Sequence, residues 1–93
     1  MACDCKNTYQ KVSYVFKTYV ENEDITAEEC NAIEFINKGV ITCSVNDLPL
    51  TTDQSLSLSG NQTDKDISSY TLSFIAGAGV RQMVVVRKYL IDN

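Results

Sequence analysis

Tyr70-Thr-Leu-Ser-Phe-Ile-Ala-Gly-Ala-Gly-Val-Arg-Gln-Met-Val-Val-Val-Arg-Lys-Tyr89 is the stretch on which the fold turns. Tyr70, Leu72, Phe74 and Ala76 alternate with Ser69, Thr71, Ser73 and Ile75. This two-residue period is that of a strand with one apolar and one hydroxyl face. Gly77-Ala78-Gly79 then leads into a second β-rich run, and two such runs joined by a short glycine-rich connection predict a hairpin. Met83 to Val86 is apolar at every position, so its strand is expected to be central in its sheet or covered on both faces.

Moving upstream, Ile41, Cys43 and Val45 alternate with Thr42 and Ser44, Asn46-Asp47 supplies turn chemistry, and Pro49 enforces an extended passage. Leu56 and Leu58 sit among Ser55, Ser57 and Ser59 as a short strand, and residues 60–66 are polar and turn-forming. Short strands at regular spacing make residues 40–93 an antiparallel β module. It is expected to be a small immunoglobulin-like or jelly-roll-derived sandwich.

The first 39 residues read differently. Tyr9, Val12, Val15, Phe16, Tyr19 and Val20 fall along one helical face. Val12, Tyr14, Phe16 and Val20 also fit a period of two, with strand-favouring side chains. Helix is the preferred reading, with Tyr14 the residue it leaves on the wrong side. Thr26-Ala-Glu-Glu29 has the form of a capping box. With Cys30, Ile33, Phe35 and Ile36 as an apolar side and Gly39 as a left-handed cap, it predicts a helix over residues 27–38. The expected fold class is therefore α+β in one domain, a helical segment at 1–39 followed by the β module at 40–93.

At 93 residues, folding buries only about 60–65% of the unfolded chain's surface, so such a chain usually leans on disulfides, a metal or a neighbouring subunit. The net charge is −4, with seven acids against four bases in residues 1–46 and five against four in 47–93. Nucleic acid and anionic membrane are not expected partners, because both draw affinity from clustered Lys and Arg. Arg81, Arg87 and Lys88 are the nearest approach to such a cluster, and they read as a solvated or interfacial face. The amino terminus has no apolar core of a signal sequence, which places synthesis in the cytosol and discounts the glycosylation pattern Asn61-Gln62-Thr63.

No histidine is present, so the commonest general base is missing, and Glu28-Glu29 or Asp64 with Asp66 make no specific acid–base pair. No catalytic residue and no cofactor site is assigned. Cys3, Cys5, Cys30 and Cys43 equal in number the ligands of a tetrahedral zinc, yet a Cys-x-Cys followed by two isolated cysteines lacks the paired knuckles of structural zinc sites. The metal reading is the minor one. Free thiols, with Cys30 and Cys43 as small hydrophobes, are preferred in a reducing compartment. Asn61, Thr63, Asp64 and Asp66 offer oxygen ligands without the closing Glu of a calcium loop and read as a solvated turn. The interface candidates are Met83, Val84, Val86, Arg87, Lys88 and Tyr89, on the strand that demands cover.

The runs Val45-Asn-Asp-Leu-Pro-Leu50, Leu56-Ser-Leu-Ser-Gly-Asn61, residues 67–74 and Met83-Val-Val-Val-Arg-Lys-Tyr89 together resemble a β module of small virion proteins of tailed bacteriophages, those of crAss-like and related gut Bacteroidetes phages. The resemblance covers residues 40–90 and does not include the amino-terminal segment. It implies an auxiliary capsid or head-decoration protein, with head-fibre and tail attachment components as near relatives. It also implies many copies or a homo-oligomer on a symmetric shell, contact with the major capsid protein, and a place in the virion after synthesis in the host cytoplasm. A small intracellular binding or regulatory module is the alternative from a different class.

Overall fold

A computed structural model describes residues 11–61 and 63–91, and the described chain is all β. Eight strands follow in order: β1 (Lys11–Tyr19), β2 (Glu23–Thr26), β3 (Ala32–Asn37), β4 (Cys43–Val45), β5 (Leu48–Leu50), β6 (Ser55–Ser59), β7 (Ser69–Phe74) and β8 (Met83–Ile91). They form two four-stranded antiparallel sheets packed as a sandwich: a front sheet ordered β1-β8-β3-β6 and a back sheet ordered β2-β7-β4-β5.

The pairing is nested: β1 with β8, β2 with β7, β3 with β6 and β4 with β5. One long antiparallel hairpin is thus rolled up so that alternate pairs fall in opposite sheets, which is the jelly-roll arrangement and not the strand order of an immunoglobulin sandwich. β7 and β8 do not form the expected hairpin with each other. Residues 75–82 carry the chain from the back sheet to the front, and each strand takes its partners elsewhere. The central position expected for β8 is observed, since it lies between β1 and β3.

The α+β expectation fails in the amino-terminal segment, where β1, β2 and β3 replace the predicted helices. The capping-box residues form a tight turn instead, with Glu28 at φ 56° and Glu29 at φ 59°. Backbone amides of Ala27 and Glu29 donate to the carbonyls of Ser68 and Asp66, in the segment that leads into β7. The helical pattern at 27–38 was a coincidence of spacing, because Ile33, Phe35 and Asn37 alternate as buried side chains with the half-buried Ala32, Glu34 and Ile36. Pairing on both edges, to β8 and to β6, gives these β-branched and aromatic residues more than a helix could. Gly39 is no helix cap: a Cβ there would sit 2.5 Å from the Val80 carbonyl oxygen, so glycine is required for close backbone approach.

Between the sheets lie Tyr19, Ile33, Phe35, Met83 and Val85 from the front, and Ile25, Cys43, Val45, Leu72 and Phe74 from the back. Phe35 and Tyr70 meet edge to face, with centroids 5.0 Å apart. Each fully buried apolar side chain contributes about 1.5–3 kcal/mol relative to exposure. At one end of this core Asn37, fully buried, donates through Nδ2 to the carbonyls of Ile41 (2.9 Å) and Leu50 (2.8 Å), and its Oδ1 accepts from the Gly39 amide (2.9 Å). It clasps the β3–β4 connection to the end of β5.

The β4–β5 turn is as the sequence suggests: Asn46 (φ 47°) and Asp47 (φ 72°) adopt the left-handed pair of a two-residue hairpin. Asn46 Oδ1 also accepts from the Thr71 amide at 2.8 Å.

Candidate docking surface

The outer face of the front sheet follows from its register. Side chains directly opposite one another share a face, so the rows Thr18-Val84-Ile36-Ser55, Phe16-Val86-Glu34-Ser57 and Tyr14-Lys88-Ala32-Ser59 all point outward, with Val12 opposite Leu90 at the end. Phe16 is 69% exposed and Tyr14 53%, while Val84, Val86, Ile36 and Leu90 are half-buried only by their neighbours. From strand spacing and rise, the face covers on the order of 400 Å². The apolar part, Val12, Tyr14, Phe16, Val84, Val86 and Leu90 on β1 and β8 with Ile36 on β3, is smaller, because Thr18, Glu34, Lys88 and the three serines of β6 share the face. A grouped apolar patch of this kind on a monomer is often functional.

The outer face of the back sheet is the opposite in character. Its rows are Thr26-Ser69, Asp24-Thr71 and Ser73-Ser44-Pro49, and the Thr71 hydroxyl donates to Asp24 Oδ1 at 2.9 Å. Hydroxyls and a carboxylate there satisfy water. The two faces of one small sandwich therefore differ in what they can contact.

Of the six interface candidates on β8, Val84, Val86 and Lys88 lie on the outer face. Met83, Arg87 and Tyr89 point the other way, because strand side chains alternate. Met83 is core. Arg87 is 2% exposed; its Nη2 donates to the Thr26 carbonyl at 2.6 Å and lies 3.5 Å from Glu28 Oε2, while Nε has no hydrogen-bond partner. Tyr89 donates its hydroxyl to the Glu28 carbonyl at 3.0 Å. Arg87 and Tyr89 thereby hold the Ala27–Cys30 turn against the sheet and are fold residues.

Val12, Tyr14 and Phe16 were missed as surface residues because 9–20 was read as helix. The signal that could have found them was their own two-residue spacing, together with the poor fit of Tyr14 to a helical face. They lie beside β8, so the apolar face spans the sheet instead of a single strand.

This face carries one charge of each sign, Lys88 and Glu34, and neither is within ion-pair distance of a charged group of the described residues. Two shallow depressions of about 290 Å³ each open along it, one between Tyr14, Glu34, Ser57 and Lys88, the other between Val12, Ser59, Lys88 and Leu90. Both are open troughs between side chains and suit a protein surface better than an engulfed small molecule.

The other polar cluster lies at the Cys30–Asp66 bridge. The Tyr70 hydroxyl donates to Asp66 Oδ2 at 2.6 Å, and the Ser68 amide to Oδ1 at 2.7 Å. Partial burial alone would raise the Asp66 pKa, but these donors outweigh it and hold the carboxyl below its ordinary range. Tyr70 is pushed up to about 12, by burial first and by the facing carboxylate second. Cys30 and Cys43 are buried free thiols whose pKa values burial raises. Cys3 and Cys5 lie outside the described residues. Among the described residues no three His, Cys, Asp or Glu side chains converge as metal ligands.

The chain matches no family model, no curated protein and no solved structure.

Proposed function

We propose that the chain is a non-enzymatic structural protein of a phage virion, an auxiliary capsid or head-decoration protein that docks on the major capsid protein through the outer face of its front sheet. The observation that carries the docking face is the asymmetry of the sandwich: one outer face apolar around Phe16 and Val86, the other lined with Ser and Thr. Phe16, 69% exposed, stands grouped with Tyr14, Val84 and Val86, and it is such a grouping, unlike an isolated exposed side chain, that supports a contact surface. Virion placement draws support from the sequence resemblance over residues 40–90. The jelly-roll strand order agrees with it, since that architecture recurs in capsid domains. Fold alone does not assign function, and the face is what makes the reading specific.

In this role the protein acts by shape and burial. Docking removes Phe16, Tyr14, Val84 and Val86 from water, with Lys88 and Glu34 setting orientation at the centre of the patch and the hydroxyl face turned to solvent. Copies are made in the host cytoplasm and end in the particle.

The test is quantitative mass spectrometry of purified virions of the phage that encodes the chain. The expected result is a copy number in fixed proportion to the major capsid protein. A trace or none in particles, with the chain abundant in the infected-cell lysate, overturns the assignment and points to an intracellular binding module. A constant but much lower number points to a head-fibre or tail component.

A further inference from the structure

We propose that two copies of the chain pair edge to edge through β1, joining their front sheets into one eight-stranded sheet about a two-fold axis.

The four sheet edges of the sandwich are treated very differently. β5 is three residues long and carries Pro49; β2 is four residues with Glu23 and Asp24; β6 is a run of serines around two leucines. Shortness, proline and charged side chains, lysine above all, are the usual means of keeping an edge from pairing. β1 is neither short nor interrupted by proline, and its two charges, Lys11 and Lys17, leave open a register that keeps them apart. It is nine residues long, its pairing to β8 runs without a bulge from Lys11–Ile91 to Tyr19–Met83, and on its other side no strand of the described residues is bonded to it. Its outward face carries Val12, Tyr14, Phe16 and Thr18, and its other face carries Val15, 45% exposed, between Ser13 and Lys17. Of its nine residues only Tyr19 is buried.

A second copy fits this edge better than an unrelated strand because the sequence of β1 is complementary to itself when reversed. In a two-fold antiparallel pair, backbone groups that point away from β8 must face their equivalents, which restricts the register to even steps. With Val15 on the axis, Tyr14 stands opposite Phe16 of the second copy and Phe16 opposite Tyr14, two aromatic cross-strand pairs on the outer face. Ser13 stands opposite Lys17, Lys11 opposite Tyr19, and all nine residues are paired. Slipping one pleat to put Tyr14 on the axis sets Lys11 against Lys17 twice, a like-charge penalty. Slipping the other way, to Phe16, leaves two residues of each strand unpaired. The Val15-centred register is the one in which length, aromatic pairing and charge agree.

The consequence for shape is that two apolar front faces become coplanar neighbours. Their combined face is on the order of 800 Å², the area each partner contributes to a standard stable interface. The pairing itself does not depend on the virion assignment and can hold for either class of function.

The test uses the full chain in sedimentation velocity across a concentration series, with hydrogen exchange of the β1 amides and far-ultraviolet circular dichroism on each variant. The wild-type chain is expected to dimerise reversibly, with β1 amides more protected as the dimer fills. Val15→Lys, at an already exposed position, places like charges across the axis and is expected to weaken dimerisation at least about tenfold with an unchanged spectrum. Ser13→Glu, which faces Lys17 of the second copy, is expected to strengthen it. A wild-type chain that stays monomeric at millimolar concentration overturns the proposal. So does a dimer that Val15→Lys and Ser13→Glu leave unaltered while β1 amides exchange freely.

Discussion

Val86 and Arg87 are neighbours in sequence and opposites in surroundings: one faces out beside Phe16, the other lies between the sheets. Arg87 enters the sandwich with a single good hydrogen bond, and its Nε is unpaired. A buried ion of this kind gains little net stability. Arg87→Met roughly keeps volume and relieves the unpaired Nε but removes the donor to the Thr26 carbonyl, so a loss of about 1–3 kcal/mol is expected in urea unfolding. Asn37 is the reverse case. Its side chain makes three buried hydrogen bonds, and Asn37→Ala leaves two carbonyls and an amide without partners. A loss of about 2–4 kcal/mol is expected by the same measurement.

The titrating residues give a signed pH dependence. Tyr70 has a folded pKa of about 12, above its ordinary value of 10, so its contribution is complete below that ordinary value and is lost as pH rises through the folded one. Cys30 and Cys43, also raised, act in the same direction from their ordinary 9.0 upward. Asp66 is lowered, so its contribution is present above the ordinary carboxylate range and lost as pH falls through the folded value. Stability should thus decline on the alkaline side from roughly pH 9 and more steeply above 10. Tyr70→Phe should remove the Tyr70 part of that decline and move the acid limb, read from midpoints of urea unfolding against pH.

At the scale of elements, Gly39→Ala tests the close crossing of the β3–β4 connection beneath the Val80 carbonyl. A Cβ at 2.5 Å from that oxygen forces backbone movement, so a loss of about 1–3 kcal/mol is expected in thermal or urea unfolding. Much of the carboxyl-terminal half was legible in sequence: β4, the Asn46-Asp47 turn, β6, β7 and the central position of β8 all follow from local period and turn chemistry. The partner of each strand was not. Residues 75–82 look like a hairpin connection because glycine permits a turn, and nothing local states that the chain must cross to the other sheet. In the first half, Thr26 to Glu29 satisfies the pattern of a helix start, and only long-range pairing of Ile33, Phe35 and Asn37 with β6 and β8 decides for strand. Of the outer face of the front sheet, Val84, Val86 and Lys88 were named from sequence, whereas Met83, Arg87 and Tyr89, named with them by proximity along the chain, face the other way.

For the whole molecule, the nested pairing brings β1 beside β8 and so assembles the apolar face from the two ends of the described chain. No half of the sequence carries that face alone. The back sheet, with Ser73 and Thr71 outward on its inner strand β7, supplies an internal control with the same number of strands. The central claim is that the front face docks and the back face does not. It is tested most directly by incorporation of two variants into particles, Val86→Lys, whose charge faces Glu34 across the strands, on the front and Ser73→Lys on the back, each required to keep the wild-type far-ultraviolet spectrum, competed against wild type and counted by mass spectrometry of purified virions. Val86→Lys should be depleted at least about tenfold, the cost of burying an ammonium in an apolar contact, with Ser73→Lys at the wild-type level. Equal incorporation of the two, or selective loss of Ser73→Lys, would contradict the account.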